Sequence, residues 1–266
     1  MGYKIGFIGT GVMGGALARA VAKNEKSLLL SNIPEQTAKD LAKELGCGWG
    51  DNKKVAGECE YIVLAVKPQV IRTVLSEIAP VLKARKDNYV IITIAAGVSV
   101  ETVRKETGLA CPVIRLMPNT PALVEKGVIL CVFDGVDEAG KREFYRMFEA
   151  AGFCDEINED KIDAAGALTG CGPAFAYIVM QSLADGAVAA GIDRARATKY
   201  AEMTVLGAAQ LAITSGEHLE KLKDAVCSPA GTTIEGVNLL ENRSVRSAFA
   251  DAVKASYKRS LELGKK

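Results

Sequence analysis

Tyr3-Lys4-Ile5-Gly6-Phe7-Ile8-Gly9-Thr10-Gly11-Val12-Met13-Gly14, followed by an alanine-rich amphipathic segment, decides how this chain begins to fold. The apolar run Tyr3 to Ile8 reads as a strand, the glycines as a turn and the alanine-rich segment as a helix. The glycines match G-x-G-x-x-G. Gly9 permits the tight turn, Gly11 lets a pyrophosphate approach the backbone, and Gly14 lets helix and strand pack closely. The helix N-terminus then faces the phosphates. The plain alternative is an ordinary glycine turn between strand and helix. The strand before it and the helix after it are the context that the dinucleotide reading requires.

The 266 residues suffice for one large or two smaller domains, each with a core. Lysine plus arginine, 33, nearly balances aspartate plus glutamate, 32, so no nucleic-acid partner and no acidic tail is expected. No segment approaches the ~20 apolar residues of a membrane span, and Gly9 to Gly14 interrupts the region a signal peptide would need. A cytoplasmic protein with no membrane partner is the expectation. The seven cysteines are scattered and form no C-x-x-C pair, which favours reduced thiols over a disulfide framework or zinc site. With His218 as the single histidine, no metal site is expected.

Strand and helix patterns alternate through the first part. Leu28 to Ser31, Tyr61 to Ala65, Tyr89 to Ile94, Val113 to Leu116, Val128 to Phe133 and Phe153 to Ile157 read as strands. Gln36 to Leu45, Ile71 to Leu82 and Glu138 to Ala150 read as helices. Such alternation implies a parallel sheet with helices on both faces. From about Asp160 the chain reads almost entirely as helix, so a division into 1–159 and 160–266 is expected. Ala174 to Ala190 is apolar over most of its circumference and should be buried on nearly all sides. A domain this thin cannot enclose it, which predicts enclosure by a second subunit.

In a doubly wound sheet, ligands bind beyond the carboxyl ends of the strands. The loops there are Val66-Lys67-Pro68, Ala95-Ala96-Gly97 and Met117-Pro118-Asn119-Thr120-Pro121. Small residues in Ala95 to Gly97 let a ribose or nicotinamide approach the backbone, and Asn119 offers hydrogen bonds to a carboxamide. A dehydrogenase specific for NAD usually carries Asp or Glu about 20 residues past the first glycine. Here Ser31-Asn32 stands there, so NADP(H) is expected to be preferred and NAD(H) possible, although Ile33 and Pro34 supply no adjacent cation. Farther on, Leu168 to Pro173 precedes the buried helix, and Cys227-Ser228-Pro229-Ala230-Gly231-Thr232-Thr233 precedes a helix beginning at Ile234. The second loop reads as a carboxylate cradle at a helix N-terminus, against plain N-capping by Ser or Thr. His218 lies in a polar stretch and reads as a surface residue, so no ketone-reducing acid is in view. A protonated imine needs less, because its carbon is already electrophilic.

Taken together these segments resemble pyrroline-5-carboxylate reductase over the whole chain. The most specific part is Asp224-Ala225-Val226-Cys227-Ser228-Pro229-Ala230-Gly231-Thr232-Thr233-Ile234-Glu235-Gly236-Val237, which looks like the family signature. The resemblance implies an α/β architecture: an N-terminal Rossmann domain with a doubly wound, mostly parallel sheet, then an all-helical dimerisation domain, in dimers that assemble into larger rings. By the same resemblance Ile8, Gly9, Thr10, Gly11, Val12, Met13, Ser31, Asn52, Ala65, Val66, Lys67, Pro68, Ala95, Ala96 and Gly97 contact NADP(H). It also implies that backbone N–H groups of Gly231, Thr232 and Thr233 hold the substrate carboxylate, and that the Thr233 hydroxyl bonds the imine nitrogen as pyrroline-5-carboxylate becomes L-proline. Cys171 and Cys227 stand where serine is expected, Ile33 where a basic residue often follows, and Ala225 where a polar residue can touch the cofactor. A β-hydroxyacid dehydrogenase would place a catalytic lysine on a helix of the second domain, and Ala174 to Ala190 contains none. A non-catalytic nucleotide sensor would not need the Thr232-Thr233 loop.

Overall fold

The computed structural model describes residues 2–264. The chain forms two compact units, one holding the chain to Gly170 and from Tyr257 onward, the other Cys171–Ser256. In the first, β1 (Tyr3–Ile8), α1 (Val12–Asn24), β2 (Leu28–Ser31), α2 (Glu35–Leu45), β3 (Gly48–Trp49), α3 (Asn52–Glu58), β4 (Cys59–Leu64) and α4 (Pro68–Ala84) follow one another. They are succeeded by β5 (Val90–Thr93), α5 (Val100–Thr107), β6 (Val113–Met117), β7 (Gly127–Asp134), α6 (Glu138–Phe148), β8 (Gly152–Glu156) and α7 (Glu159–Thr169). The eight strands form one sheet in the order β3-β2-β1-β4-β5-β6-β7-β8, parallel throughout except where β6 meets β7. The order reverses between β1 and β4, and this doubly wound crevice is where such sheets take ligands.

Alternation along each strand supplies both faces. Ile5 and Phe7 of β1 point into one core with Leu17 and Val21 of α1, Leu41 of α2, and Phe144 and Phe148 of α6. Ile8, Leu29, Ile62 and Leu64 point into the other with Val55 of α3, Leu75 and Ile78 of α4, and Val103 of α5. The short elements β3, α3 and α5 go beyond the sequence reading: β3 has two residues, and α3 and α5, at seven and eight residues, hold only about two helical turns each. Their caps account for them. Asp51 accepts from the Lys54 N–H at the start of α3, and Ser99 accepts from the Thr102 N–H at the start of α5. The helix that opens the all-helical part, α7, belongs with the sheet: its Ile162 packs on Leu130 and Val132 of β7. The compact units therefore divide after Gly170, later than the change of texture at Asp160.

The second unit contains α8 (Gly172–Ala189), α9 (Arg194–Ser215), α10 (Leu219–Val226), α11 (Thr232–Asn242) and the beginning of α12 (Val245–Gly264). Among the described residues its core is small: Ala184 of α8 against Ala197 and Ala201 of α9. Within one chain, α8 is not buried on nearly all sides, since Tyr177 and Ile178 are 60% and 61% exposed. Glu159–Ala189 is also long and apolar enough to pass as a membrane span by length and composition, contrary to the sequence expectation. A turn at Gly170 and Cys171 nevertheless breaks that stretch into α7 and α8. Finally, α11 starts at Thr232 rather than at Ile234, because Gly231 serves as its N-cap.

Candidate active site

The glycine turn after β1 has the geometry of a cradle. Gly9 sits at φ +98°, and a Cβ there would lie 2.5 Å from the Ala65 carbonyl oxygen. At Gly14 a Cβ would lie 2.2 Å from Gly9 O and 2.8 Å from the Ala65 Cβ, so α1 reaches the sheet only because that residue is glycine. Gly11 differs: a Cβ there would meet no atom within 4 Å. Gly11 is also the N-cap of α1 and has no side-chain capping bond, which leaves first-turn N–H groups facing open space. The Thr10 hydroxyl is buried without a hydrogen-bond partner among the described residues. Open space, free N–H donors and an orphaned hydroxyl together fit an anionic nucleotide.

A cavity of about 470 Å³ opens from this turn. It brings together Gly11, Val12, Met13, Ala65, Val66, Lys67, Pro68, Ala95 and Ala96 of the sequence-predicted residues, with Met117 and Pro118 on its far wall. Lys67 is exposed and precedes Pro68, the first residue of α4, so a second helix N-terminus borders the cavity. Gly97 stands at φ +73° in the turn after β5. Ile8 is buried in the sheet and accepts from the Ala65 N–H at 2.8 Å, holding the two loops together.

Ser31 and Asn52 do not line that cavity but meet each other at the end of β2, where the Ser31 Oγ donates to Asn52 Oδ1 at 2.7 Å. Asn52 Nδ2 in turn donates to the Glu77 carboxylate of α4 at 2.8 Å. Beside them the Asn32 Oδ1 accepts from the Thr10 N–H at 2.9 Å, fixing the glycine turn to the end of β2. Asn119 is 6% exposed, and its amide is engaged within the first unit. Its Nδ2 donates to Thr169 O and its Oδ1 accepts from the Val128 N–H, each at 2.9 Å. This clamps the loop after β6 to the last residue of α7, with one amide proton left over.

Sequence reasoning overlooked Glu77 and Arg115. Arg115, 5% exposed, lines the cavity and pairs at 3.2 Å with both Glu159 and Asp163 of α7. The Glu159 carboxylate also accepts from the Val100 N–H at the start of α5. A lone arginine inside the apolar strand Val113-Ile114-Arg115-Leu116-Met117 was the available signal. Glu77 had none, since it reads as one more polar residue on an amphipathic helix.

The second unit presents the other loop. The Gly231 N–H donates to Ser228 O at 3.0 Å across Pro229 and Ala230, and Ala230 stands at φ +55°. This is a turn with proline at its second position and a left-handed third, where alanine is strained by about 1–2 kcal/mol. Its consequence is that Gly231 has no N–H to offer. No side chain caps α11, so the free donors are those of Thr232, Thr233 and the following residue Ile234. Cys227 ends α10 with its N–H on Asp224 O at 2.9 Å, and His218 caps the start of α10 through Nδ1, away from this loop.

Known proteins match both units. Residues 159–263 match the family model of pyrroline-5-carboxylate reductase dimerisation, and residues 4–97 match NADP oxidoreductase coenzyme F420-dependent. A pyrroline-5-carboxylate reductase of Methanosarcina acetivorans is 39% identical over 269 residues, covering 99% of this chain and 98% of the relative. The solved structure of a pyrroline-5-carboxylate reductase from Coxiella burnetii superposes with a TM-score of 0.91 at 30% identity, covering 99% of both chains. The Plasmodium falciparum pyrroline carboxylate reductase, solved with NADP bound, superposes with a TM-score of 0.86 at 29% identity, covering 98% of both.

Proposed function

This chain belongs to the pyrroline-5-carboxylate reductase family, and we propose that it transfers hydride from NAD(P)H to the imine carbon of pyrroline-5-carboxylate, giving L-proline in the last step of proline biosynthesis. When bound, the dinucleotide supplies the hydride. The free N–H groups at the start of α1 and the open approach at Gly11 hold its phosphates, while Ala65 to Pro68 and Ala95 to Gly97 shape the walls around it. The lack of an acid at positions 31 and 32 leaves room for NADPH, whereas the carboxylate of Glu77 behind Asn52 favours NADH.

The observation that carries the substrate half is the uncapped N-terminus of α11. N–H groups of Thr232 and Thr233 hold the substrate carboxylate, reinforced by the positive end of the helix dipole. Gly231 shapes the loop rather than donating, because its N–H is taken by Ser228. The Thr233 hydroxyl hydrogen-bonds the imine nitrogen and becomes more strongly bonded as that nitrogen gains amine character. Thr233→Ala should lower kcat by about 10- to 100-fold, the loss of about 1.5–3 kcal/mol for a bond to a partly charged group. Thr233→Ser should restore most of it, with NAD(P)H affinity unchanged in both. Wild-type kcat in the Ala variant would reduce the loop to a carboxylate cradle, and no turnover of pyrroline-5-carboxylate by the native enzyme would refute the activity.

Residues 1–159 serve as the nucleotide domain and 160–266 as the substrate and dimerisation domain of a cytoplasmic homodimer, further assembled into a ring. The exposed apolar residues of α8, which include Tyr177 and Ile178, support a subunit interface. Light scattering that found an active monomer would remove it.

A further inference from the structure

We propose that Glu77, acting through Asn52, biases the site toward a ribose 2′-hydroxyl and against a 2′-phosphate, and therefore toward NADH over NADPH. The proposal rests on the reading of the first unit as a nucleotide site. A carboxylate oxygen only accepts hydrogen bonds. Asn52 must therefore turn its NH₂ toward Glu77, where Nδ2 lies 2.8 Å from Oε2. That orientation leaves its carbonyl oxygen 2.7 Å from the Ser31 Oγ. A carbonyl oxygen also only accepts, so the Ser31 hydroxyl must donate its single proton to Asn52. Ser31 is 2% and Asn52 5% exposed, so water does not compete for these bonds.

The consequence reaches the ligand. Ser31 closes β2, the place where this fold meets the adenosine ribose. With its proton committed, Ser31 has only a lone pair left to offer. A ribose hydroxyl can donate to that lone pair, whereas a phosphate oxygen is another acceptor and is repelled. The neighbours do not reverse this polarity. Asn32 already accepts from Thr10 and donates to Pro34 O at 3.0 Å, and Ile33, 88% exposed, carries no charge. An NAD enzyme usually places its acid at the end of β2 itself. Here the acid stands one residue behind, and hydrogen-bond direction transmits its preference.

The test is direct titration of NADH and NADPH, followed by nicotinamide fluorescence in the absence of any imine, on the native chain, Ser31→Ala and Glu77→Gln. The native protein should bind NADH about tenfold more tightly than NADPH, the difference expected for one made or opposed hydrogen bond. Ser31→Ala should weaken NADH by about tenfold without weakening NADPH. Glu77→Gln should collapse the NADH-to-NADPH ratio by about tenfold, since a glutamine can donate to Asn52, let its amide turn and free the Ser31 proton. Each readout is a ratio between two ligands on one protein, so partial loss of folded material cancels. Lys53 and Lys54 follow Asn52 in the exposed first turn of α3. If they capture the 2′-phosphate, native NADPH affinity equals or exceeds that of NADH and the proposal is overturned. It is equally overturned if Ser31→Ala weakens NADPH as much as NADH, or if Glu77→Gln leaves the ratio unchanged. Failure of both nucleotides to bind the native chain would remove the nucleotide reading itself, and the proposal with it.

Discussion

Gly11→Ala and Gly14→Ala separate the two uses to which the first turn puts glycine, and the structure sets opposite expectations for them. At position 14 the added methyl would sit 2.2 Å from the Gly9 carbonyl oxygen and 2.8 Å from the Ala65 Cβ, against the ~3.5–4.0 Å of an ordinary contact. The first of these is a backbone atom and cannot rotate aside, so α1 must lift away from β1 and β4 in a close-packed interior. Overpacking of this kind costs about 1–3 kcal/mol or more, partly offset by about 1 kcal/mol of helix propensity. A drop of several degrees in Tm follows, at about 2–4 °C per kcal/mol for a domain of this size. At position 11 the methyl meets nothing within 4 Å, and φ −66°, ψ −163° suits any residue. The fold should lose only about 0.5–1 kcal/mol, the difference between glycine and alanine at an N-cap.

Nucleotide affinity should reverse the order. The Gly11→Ala methyl occupies the space through which the pyrophosphate reaches the first-turn N–H groups, so NAD(P)H should bind about 10- to 100-fold more weakly, about 1.4–2.8 kcal/mol. Thermal unfolding without nucleotide and fluorescence titration with it, at fixed protein concentration, read the two effects separately. If Gly11→Ala bound NAD(P)H as well as the native chain, the turn would not be a phosphate cradle. If Gly14→Ala melted at the native temperature, the close approach of α1 to the sheet would be wrong.

Asn119→Ala should destabilise the protein by about 2–4 kcal/mol, because it strands the Val128 N–H and the Thr169 carbonyl in a buried place. Denaturant unfolding measures this, and a loss below about 0.5 kcal/mol would show that the clamp contributes nothing. Burial pushes the Cys59 thiol up to about 12 and also raises Cys111, while its hydrogen bond with Cys154 and then burial raise Cys131. Only thiolates attack disulfide reagents, and raised values keep these groups protonated at pH 8. An aromatic disulfide reagent at that pH should therefore leave all three unmodified in the native protein and react with all seven cysteines once it is unfolded. Mass spectrometry identifies the sites, and rapid native labelling of Cys59 would contradict the burial of β4.

What the sequence discloses here depends on how far apart the interacting residues are. The strands β1, β2 and β4 are legible because each is a short apolar run on both of whose faces helices pack, and the glycine turn because its spacing is a local steric requirement. The hydrogen-bonding state of Ser31 is not local. It is decided by Asn52, 21 residues on, and by Glu77, a further 25 residues on, which come together only after β2, α3 and α4 have taken their places around the sheet. A residue list can therefore name Ser31 and Asn52 as ribose contacts and still miss which of them has a proton to give. The same holds at α11. Thr232 and Thr233 are visible as small hydroxyl residues before a helix, but the turn through Ala230 takes the Gly231 N–H and moves the helix start forward. Residue type identifies the groups a site contains, whereas donor and acceptor assignments follow from the complete network. The direction of the Ser31 hydrogen bond and the engagement of the Gly231 N–H are for that reason legible only in the folded chain.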